Sequence, residues 1–278
     1  MTGIAPTITL RNGAEIPALG LGTYSLNGDD GAAVISAAIK AGYRLLDTAE
    51  NYRNEDAVGA GLADSGVPRS ELFVTTKFNR EWHSVDGARR AFHASIAKLG
   101  VDYVDLLLIH WPNPDQDQYV DAVRGLKALL DDGLLRAIGT SNFKPAHLRR
   151  VIDETGIVPD VNQIQLSPYH PRTEDRAFAV DHGIVIESWS PIGGSGDDLR
   201  SEPVITELAE AKGKTPAQVI LRWHHQLGLV SIPRSSSPDR AKQNLAIFDF
   251  ELTDDEVVAI AALDRHGAGL SDSDTQGH

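Results

Sequence analysis

Short, continuous apolar runs recur along the chain, separated by segments in which apolar residues return every three to four positions. The first class reads as strands: ALGLGT (18–23), RLLDTA (44–49), LFVTTKF (72–78), YVDLLLIHW (103–111), LLRAIGTS (134–141), PDVNQIQL (159–166), GIVIESWS (183–190) and LVSIPRS (229–235). Their apolar residues are contiguous more than alternating, as expected of strands buried on both faces of a parallel sheet. The second class reads as helices, among them DGAAVISAAIKAG (30–42), SVDGARRAFHASIAKLG (84–100), YVDAVRGLKALLDDG (119–133), KPAHLRRVIDETG (144–156) and EDRAFAVDHG (174–183). Each closes on a glycine, the residue that most readily takes the left-handed conformation at a helix end.

Eight strand–helix repeats with no Pro- or Ser-rich linker predict one domain over 1–278, an α/β fold of the (β/α)8 TIM barrel type. An open doubly wound sheet is the competing topology, because strand order is not written in the pattern. Upstream, ITLRNGAEIPAL places Asn12-Gly13 between two short alternating runs and predicts a short N-terminal β-hairpin with a tight turn. The segment GAGLSDSDTQGH (267–278) is polar and glycine-rich, and a frayed, flexible tail is expected there.

Composition narrows the partners. No stretch approaches the roughly 18 apolar residues of a membrane span, and the first residues lack a basic region followed by an apolar one, so a cytoplasmic protein is expected. With no cysteine, thiolate chemistry, disulfides and Cys-containing metal sites are excluded. A formal net charge of −13 opposes general binding to nucleic acid or anionic lipid, so any phosphate site must be local.

In a TIM barrel the chemistry stands at the C-terminal ends of the strands. Asp47 follows RLL, Lys77 follows FVTT, His110 follows LLLI, and Tyr52 lies five residues beyond Asp47 in the loop above the barrel. Each has an ordinary explanation alone: a helix cap, a snorkelling lysine, a packing aromatic, a rim histidine. Together they form an acid catalyst. Hydride addition to a carbonyl leaves negative charge on oxygen that a neighbouring acid must neutralise. Tyr52 can give that proton, Lys77 can draw the phenol toward working pH, Asp47 can hold the lysine charge, and His110 can orient the carbonyl.

Through DTAENYRNE (47–55), TTK (75–77), LLLIHWP (106–112), GTSNF (139–143) and VNQIQLSPY (161–169), the sequence resembles the aldo-keto reductase family, from about Ile8 to Asp264 and most closely its short prokaryotic members. That resemblance implies NADPH-dependent reduction of small carbonyl compounds by a monomer, with the family's tetrad at Asp47, Tyr52, Lys77 and His110. It implies a carboxamide held by Ser141, Asn142 and Gln163, and a nicotinamide ring stacked on Trp189. Gly22 and Thr23 would flank the cofactor, and Ser190, Ile192 and Gly193 of SPIGGSG (190–196) would follow the pyrophosphate. Arg234, Ser235, Ser236, Arg240, Gln243 and Asn244 would hold the adenosine 2′-phosphate and adenine. These residues are the local anion site that the net charge demands, with NADH a weaker alternative.

Two departures bear on specificity. Arg234 replaces the family's usual lysine, which keeps the charge and changes its geometry. The loop KFNREWH places Phe78 after the catalytic lysine and delays Trp82, leaving Tyr24, Trp82 and Trp111, with His110, as candidate pocket residues. Aldehydes, α-dicarbonyls and keto-sugars are all compatible. A Schiff-base lyase using Lys77 and a non-catalytic NADPH-binding regulatory subunit are the rival readings. GLGTYSLNG lacks the third glycine of a Rossmann fingerprint, and neither GxxxxGK[ST] nor HExxH occurs. The His224-His225 pair is expected to serve solvent exposure and packing, and no metal is required.

Overall fold

The computed structural model describes residues 3–194, 196 and 198–278. The chain opens with a hairpin of β1 (Thr7–Thr9) and β2 (Glu15–Pro17). Its turn differs from the expected two-residue Asn-Gly turn. The Gly13 amide donates to the Leu10 carbonyl at 2.9 Å, so Arg11 and Asn12 are the central residues, and Gly13 follows at φ 88°. This is a three-residue loop whose last position needs the left-handed conformation.

Eight parallel strands follow: β3 (Gly20–Gly22), β4 (Leu45–Asp47), β5 (Phe73–Phe78), β6 (Val104–Ile109), β7 (Leu135–Ser141), β8 (Val161–Gln165), β9 (Val185–Trp189) and β10 (Val230–Ser231). They pair in sequence order. At the seam, the Ser231 amide donates to the Ala18 carbonyl at 3.1 Å and the Gly22 amide to Pro233 at 3.2 Å, joining β3 to β10 and making a barrel instead of an open sheet. A Cβ at position 22 would sit 2.8 Å from the Ile232 carbonyl, so the seam itself requires a glycine.

Six helices each separate successive strands: α1 (Gly28–Ala41), α2 (Glu55–Ser65), α3 (Val85–Leu99), α4 (Tyr119–Asp131), α5 (Pro145–Thr155) and α6 (Thr173–His182). The β9–β10 connection carries two, α7 (Pro203–Lys212) and α8 (Pro216–Gln226), while α9 (Pro238–Leu245) and α10 (Asp254–Ala261) follow β10. Among the described residues no helix is long and apolar enough to cross a membrane.

Leu10 and Ile16 of the hairpin pack with Leu45, Phe73, Leu106 and Val161 inside the barrel. The Asn12 side chain donates to the Arg136 carbonyl at 2.8 Å and to Asp160 at 3.1 Å. The hairpin therefore stoppers the end at which the strands begin, leaving the opposite mouth for ligands. Residues 267–278, expected as a tail, meet the start of α5. Lys144 at the start of α5 bonds Asp272 and Asp274 at 2.6 Å, and His147 meets Asp274 at 2.9 Å. The polar side chains that suggested disorder are those that tie the segment across the open mouth.

At the stoppered end, fully buried Asp105 accepts from the Val74 amide at 2.8 Å, from Arg69 at 2.7 Å and from Arg136 at 2.9 Å, linking β5, β6 and β7. Asp105→Ala leaves a buried amide and two arginines, Arg69 mostly buried and Arg136 half-exposed, without their acceptor. Urea unfolding should show a loss of about 3 kcal/mol with folding otherwise intact; a loss below roughly 1 kcal/mol would contradict this clamp.

Candidate active site

The strand register brings the sequence's acid catalyst together. Asp47, the last residue of β4, pairs with Thr75 on β5, which sets Lys77 two residues higher on the adjoining strand. The Lys77 ammonium donates to Asp47 Oδ1 at 2.7 Å, to the Thr48 carbonyl at 2.9 Å and to the Tyr52 hydroxyl at 3.3 Å. Tyr52 is carried by a single 3-10 turn, Glu50–Tyr52, directly after β4. His110, one residue past β6, faces the Tyr52 ring edge-on with centroids 5.9 Å apart.

Electrostatics refine the expected roles. Burial disfavours the Lys77 charge, yet Asp47, Tyr52 and Glu187 together outweigh it and hold the ammonium above the ordinary lysine range. The same burial raises the Asp47 carboxyl against the pull of Lys77. For Tyr52, burial exceeds the lowering effect of Lys77, and Asp47 and Glu187 add to it, so the phenol lies above 10. Lys77 pulls the phenol down through its charge and its hydrogen bond, and so tempers the cost of burial without overcoming it. His110 lies well below 6.5, through burial first and then Lys77 and His278, and is a neutral imidazole.

Gln163 extends this chain. Its amide nitrogen donates to Asp47 Oδ2 at 2.8 Å and to Glu187 Oε2 at 2.7 Å. Sequence reasoning missed Glu187, a fully buried carboxyl on β9, although an acid inside the apolar run GIVIESW was a visible irregularity.

A cavity of about 1130 Å³ opens above these groups, beyond the roughly 300–1,000 Å³ of ordinary ligand pockets and roomy enough for two ligands side by side. Of the residues expected to hold a cofactor, Gly22, Ser141, Asn142, Gln163, Trp189, Ser190, Ile192 and Gly193 line it, as do Arg234, Ser235, Ser236, Arg240, Gln243 and Asn244. Ser195 of the glycine-rich run lies outside the described residues. Asn142 sits at φ 63°; its side chain donates to the His110 carbonyl at 3.1 Å and accepts from the Trp189 indole at 2.9 Å, tying the ends of β6, β7 and β9 together. Thr23 does not reach the cavity wall, since its hydroxyl is spent on the Asp47 carbonyl at 2.9 Å. Arg200, Ser201 and Thr215–Ala217 also line the cavity and were not foreseen, because they belong to the inserted α7 and α8 region. His224 is fully buried, not exposed, and joins Ser188 Oγ at 3.2 Å to the Pro191 carbonyl at 3.1 Å, anchoring the loop after β9.

At the other end stand Tyr24, Tyr52, His110, Trp111, Asn51 and His278. The Tyr24 ring meets Tyr52 edge-on at 5.2 Å, and the His278 imidazole meets His110 at 4.7 Å and Trp111 at 5.9 Å. Trp82, expected here, is not part of the wall. The turn Arg80–Trp82 aims its indole at Glu50, which accepts at 3.0 Å, and the tail occupies the space beside His110 and Trp111.

The donor set fits a phosphorylated dinucleotide: three arginines and several hydroxyls at one end, a ring-sized indole and amides at the other. The model of the aldo/keto reductase family matches residues 18–265. The chain is 47% identical over 270 residues to 2,5-diketo-D-gluconic acid reductase B of Corynebacterium sp. strain SHS752001, covering 97% of each chain. It is 45% identical over 262 residues to methylglyoxal reductase DkgA of Salmonella typhimurium, covering 94% of each. An aldo-keto reductase of Bombyx mori solved in complex with NADP superposes with a TM-score of 0.88 at 35% identity, over 94% of this chain and 93% of that one. On this evidence the chain belongs to the aldo/keto reductase family.

Proposed function

We propose that this protein reduces aldehyde or ketone groups of small molecules to alcohols with NADPH, Tyr52 giving the proton. The observation that carries the proposal is the buried chain Asp47–Lys77–Tyr52, at 2.7 and 3.3 Å, beneath a cavity with arginines at its far end. NADPH, when bound, supplies the hydride that adds to the carbonyl carbon. The carbonyl oxygen lies between Tyr52 and His110, both of which face the cavity. Tyr52 keeps its proton at neutral pH because its phenol sits above 10, and it releases that proton to an alkoxide, which is a much stronger base than a phenolate. Lys77 stabilises the resulting phenolate at close range, and Asp47 keeps Lys77 charged. The neutral imidazole of His110 retains one N–H with which to hold the oxygen.

On the cofactor side, Trp189 offers a flat face for the nicotinamide ring, and Ser141, Asn142 and Gln163 offer groups for its carboxamide. Arg234 and Arg240 suit the 2′-phosphate, because guanidinium groups match phosphate oxygens in charge and geometry. The substrate end is polar: the Trp111 indole N–H is buried without a hydrogen-bond partner among the described residues, and Asn51 and His278 stand at the same end of the cavity. Small dicarbonyls and keto-sugar acids, the compounds named in the relatives, suit such a wall better than wholly apolar aldehydes. The Schiff-base reading needs a neutral, free amine, whereas Lys77 has all three N–H bonds engaged and a strengthened charge. A purely regulatory subunit needs no turnover, so carbonyl-dependent consumption of NADPH separates it from a reductase.

Replacing Tyr52 by Phe should cut kcat for carbonyl reduction by about 10²–10⁴-fold and leave the NADPH dissociation constant, read by fluorescence titration, unchanged; turnover within a few-fold of the original would refute the proton assignment. Arg240→Ala should weaken NADPH about tenfold or more while hardly altering NADH. An equal effect on the two cofactors would remove Arg240 from the 2′-phosphate site.

A further inference from the structure

We infer that Glu187 is a positioning residue, which fixes the end of the Gln163 amide that faces the cofactor cavity and leaves the charge of the catalytic cluster unchanged. The inference rests on the cofactor reading above, in which the nicotinamide carboxamide lies over Gln163.

An amide nitrogen carries two N–H bonds. In Gln163 one goes to Asp47 Oδ2 at 2.8 Å and the other to Glu187 Oε2 at 2.7 Å, both inside the barrel. The atom left for the cavity that Gln163 lines is its carbonyl oxygen, an acceptor suited to the N–H of a carboxamide. With Asp47 as the only acceptor below, one N–H would lack a buried partner and the amide would be free to turn. Glu187 supplies the second acceptor, and the carbonyl oxygen of a neutral carboxylic acid can accept this hydrogen bond.

The proton on Glu187 follows from its neighbours. The charged and titratable groups acting on it are Asp47 on β4 and Lys77 on β5, and it in turn acts on Tyr52. Lys77 is engaged by Asp47, Thr48 and Tyr52, so Glu187 has no cation of its own, and its Oε1 is buried without a partner among the described residues. Burial, reinforced by the negative charge of Asp47, pushes Glu187 up to about 8. At neutral pH the cluster therefore holds one anion and one cation. Ionised, Glu187 would add a second anion facing Tyr52 and make the phenol a poorer acid.

This role differs from plain packing in ways that can be measured on the whole protein. Glu187→Gln keeps an acceptor and never ionises, whereas Glu187→Leu keeps volume and removes the acceptor. Affinity should be compared for NADPH and for its 3-acetylpyridine analogue, in which a methyl group replaces the carboxamide nitrogen. At pH 7 the Gln variant should prefer NADPH over the analogue by the same factor as the original protein, and the Leu variant should lose about tenfold of that preference. A Leu variant with undiminished preference, or a Gln variant as impaired as the Leu one, overturns the inference. A protein that binds no NADPH at all overturns the cofactor reading first, so the two failures are distinguishable.

Without any cofactor, the proton itself is testable. The unfolded chain ionises Glu187 near 4.5 and the folded chain near 8, so the original protein loses stability relative to Glu187→Gln as pH rises through that window and changes no further above it. The melting-temperature gap should widen in favour of the Gln variant from pH 5 to pH 8. A gap independent of pH overturns the buried acid, and this arm stands even where the Leu variant does not fold.

Discussion

The buried pair of Asp47 and Lys77 is the constraint around which the rest of this barrel is arranged. Two charges removed from water cost several kcal/mol each, and neither is tolerable alone in the place the chain puts it. The pairing is possible because parallel register sets Asp47 opposite Thr75 and so brings the long Lys77 side chain within reach from one level higher. A shift of one residue between β4 and β5 would turn Lys77 out of the barrel and leave Asp47 facing apolar residues. Catalysis and folding thus share one geometric requirement.

From that pair the polar groups spread in two directions. Upward, Lys77 reaches Tyr52, and Tyr52 with His110 meets the cavity. Sideways, Asp47 reaches Gln163 and, through it, Glu187, so polar groups on several strands of the cavity floor hang on the same carboxylate. A second tie runs above them, from His110 through Asn142 to Trp189. In the proposed reaction hydride and proton arrive at adjacent atoms, and walls fastened to one another serve that end better than two independently placed surfaces.

Much of this was legible because strand ends are where apolar runs stop. Asp47, Lys77, His110 and Gln163 each interrupt or close such a run, and the run's position fixes the side chain at the barrel mouth. Helices were less uniformly readable. The α2 segment contains Gly59 and Gly61, which look like turn residues in sequence but stand where a Cβ would strike Leu99 and Ile35 of neighbouring elements, so small size and not flexibility selected them. The placement of Trp82 and of the tail depends on contacts over long sequence separations, Trp82 with Glu50 and Lys144 with Asp272 and Asp274. Nothing local in KFNREWH or GAGLSDSDTQGH encodes those partners. Glu187 escaped for another reason, because a single acid in an apolar strand reads as an exposed residue until the barrel interior is known to be polar at that level.

The charge distribution closes the physical picture. A chain with formal charge −13 repels a phosphorylated ligand at long range, yet Arg200, Arg234 and Arg240 gather along one cavity. At physiological ionic strength charges are screened beyond about 8 Å, so acids on the far surface count for little once a phosphate has entered, and the nearby guanidinium groups decide. Attraction of a phosphorylated ligand therefore follows from where the arginines gather, not from the number of positive charges on the chain.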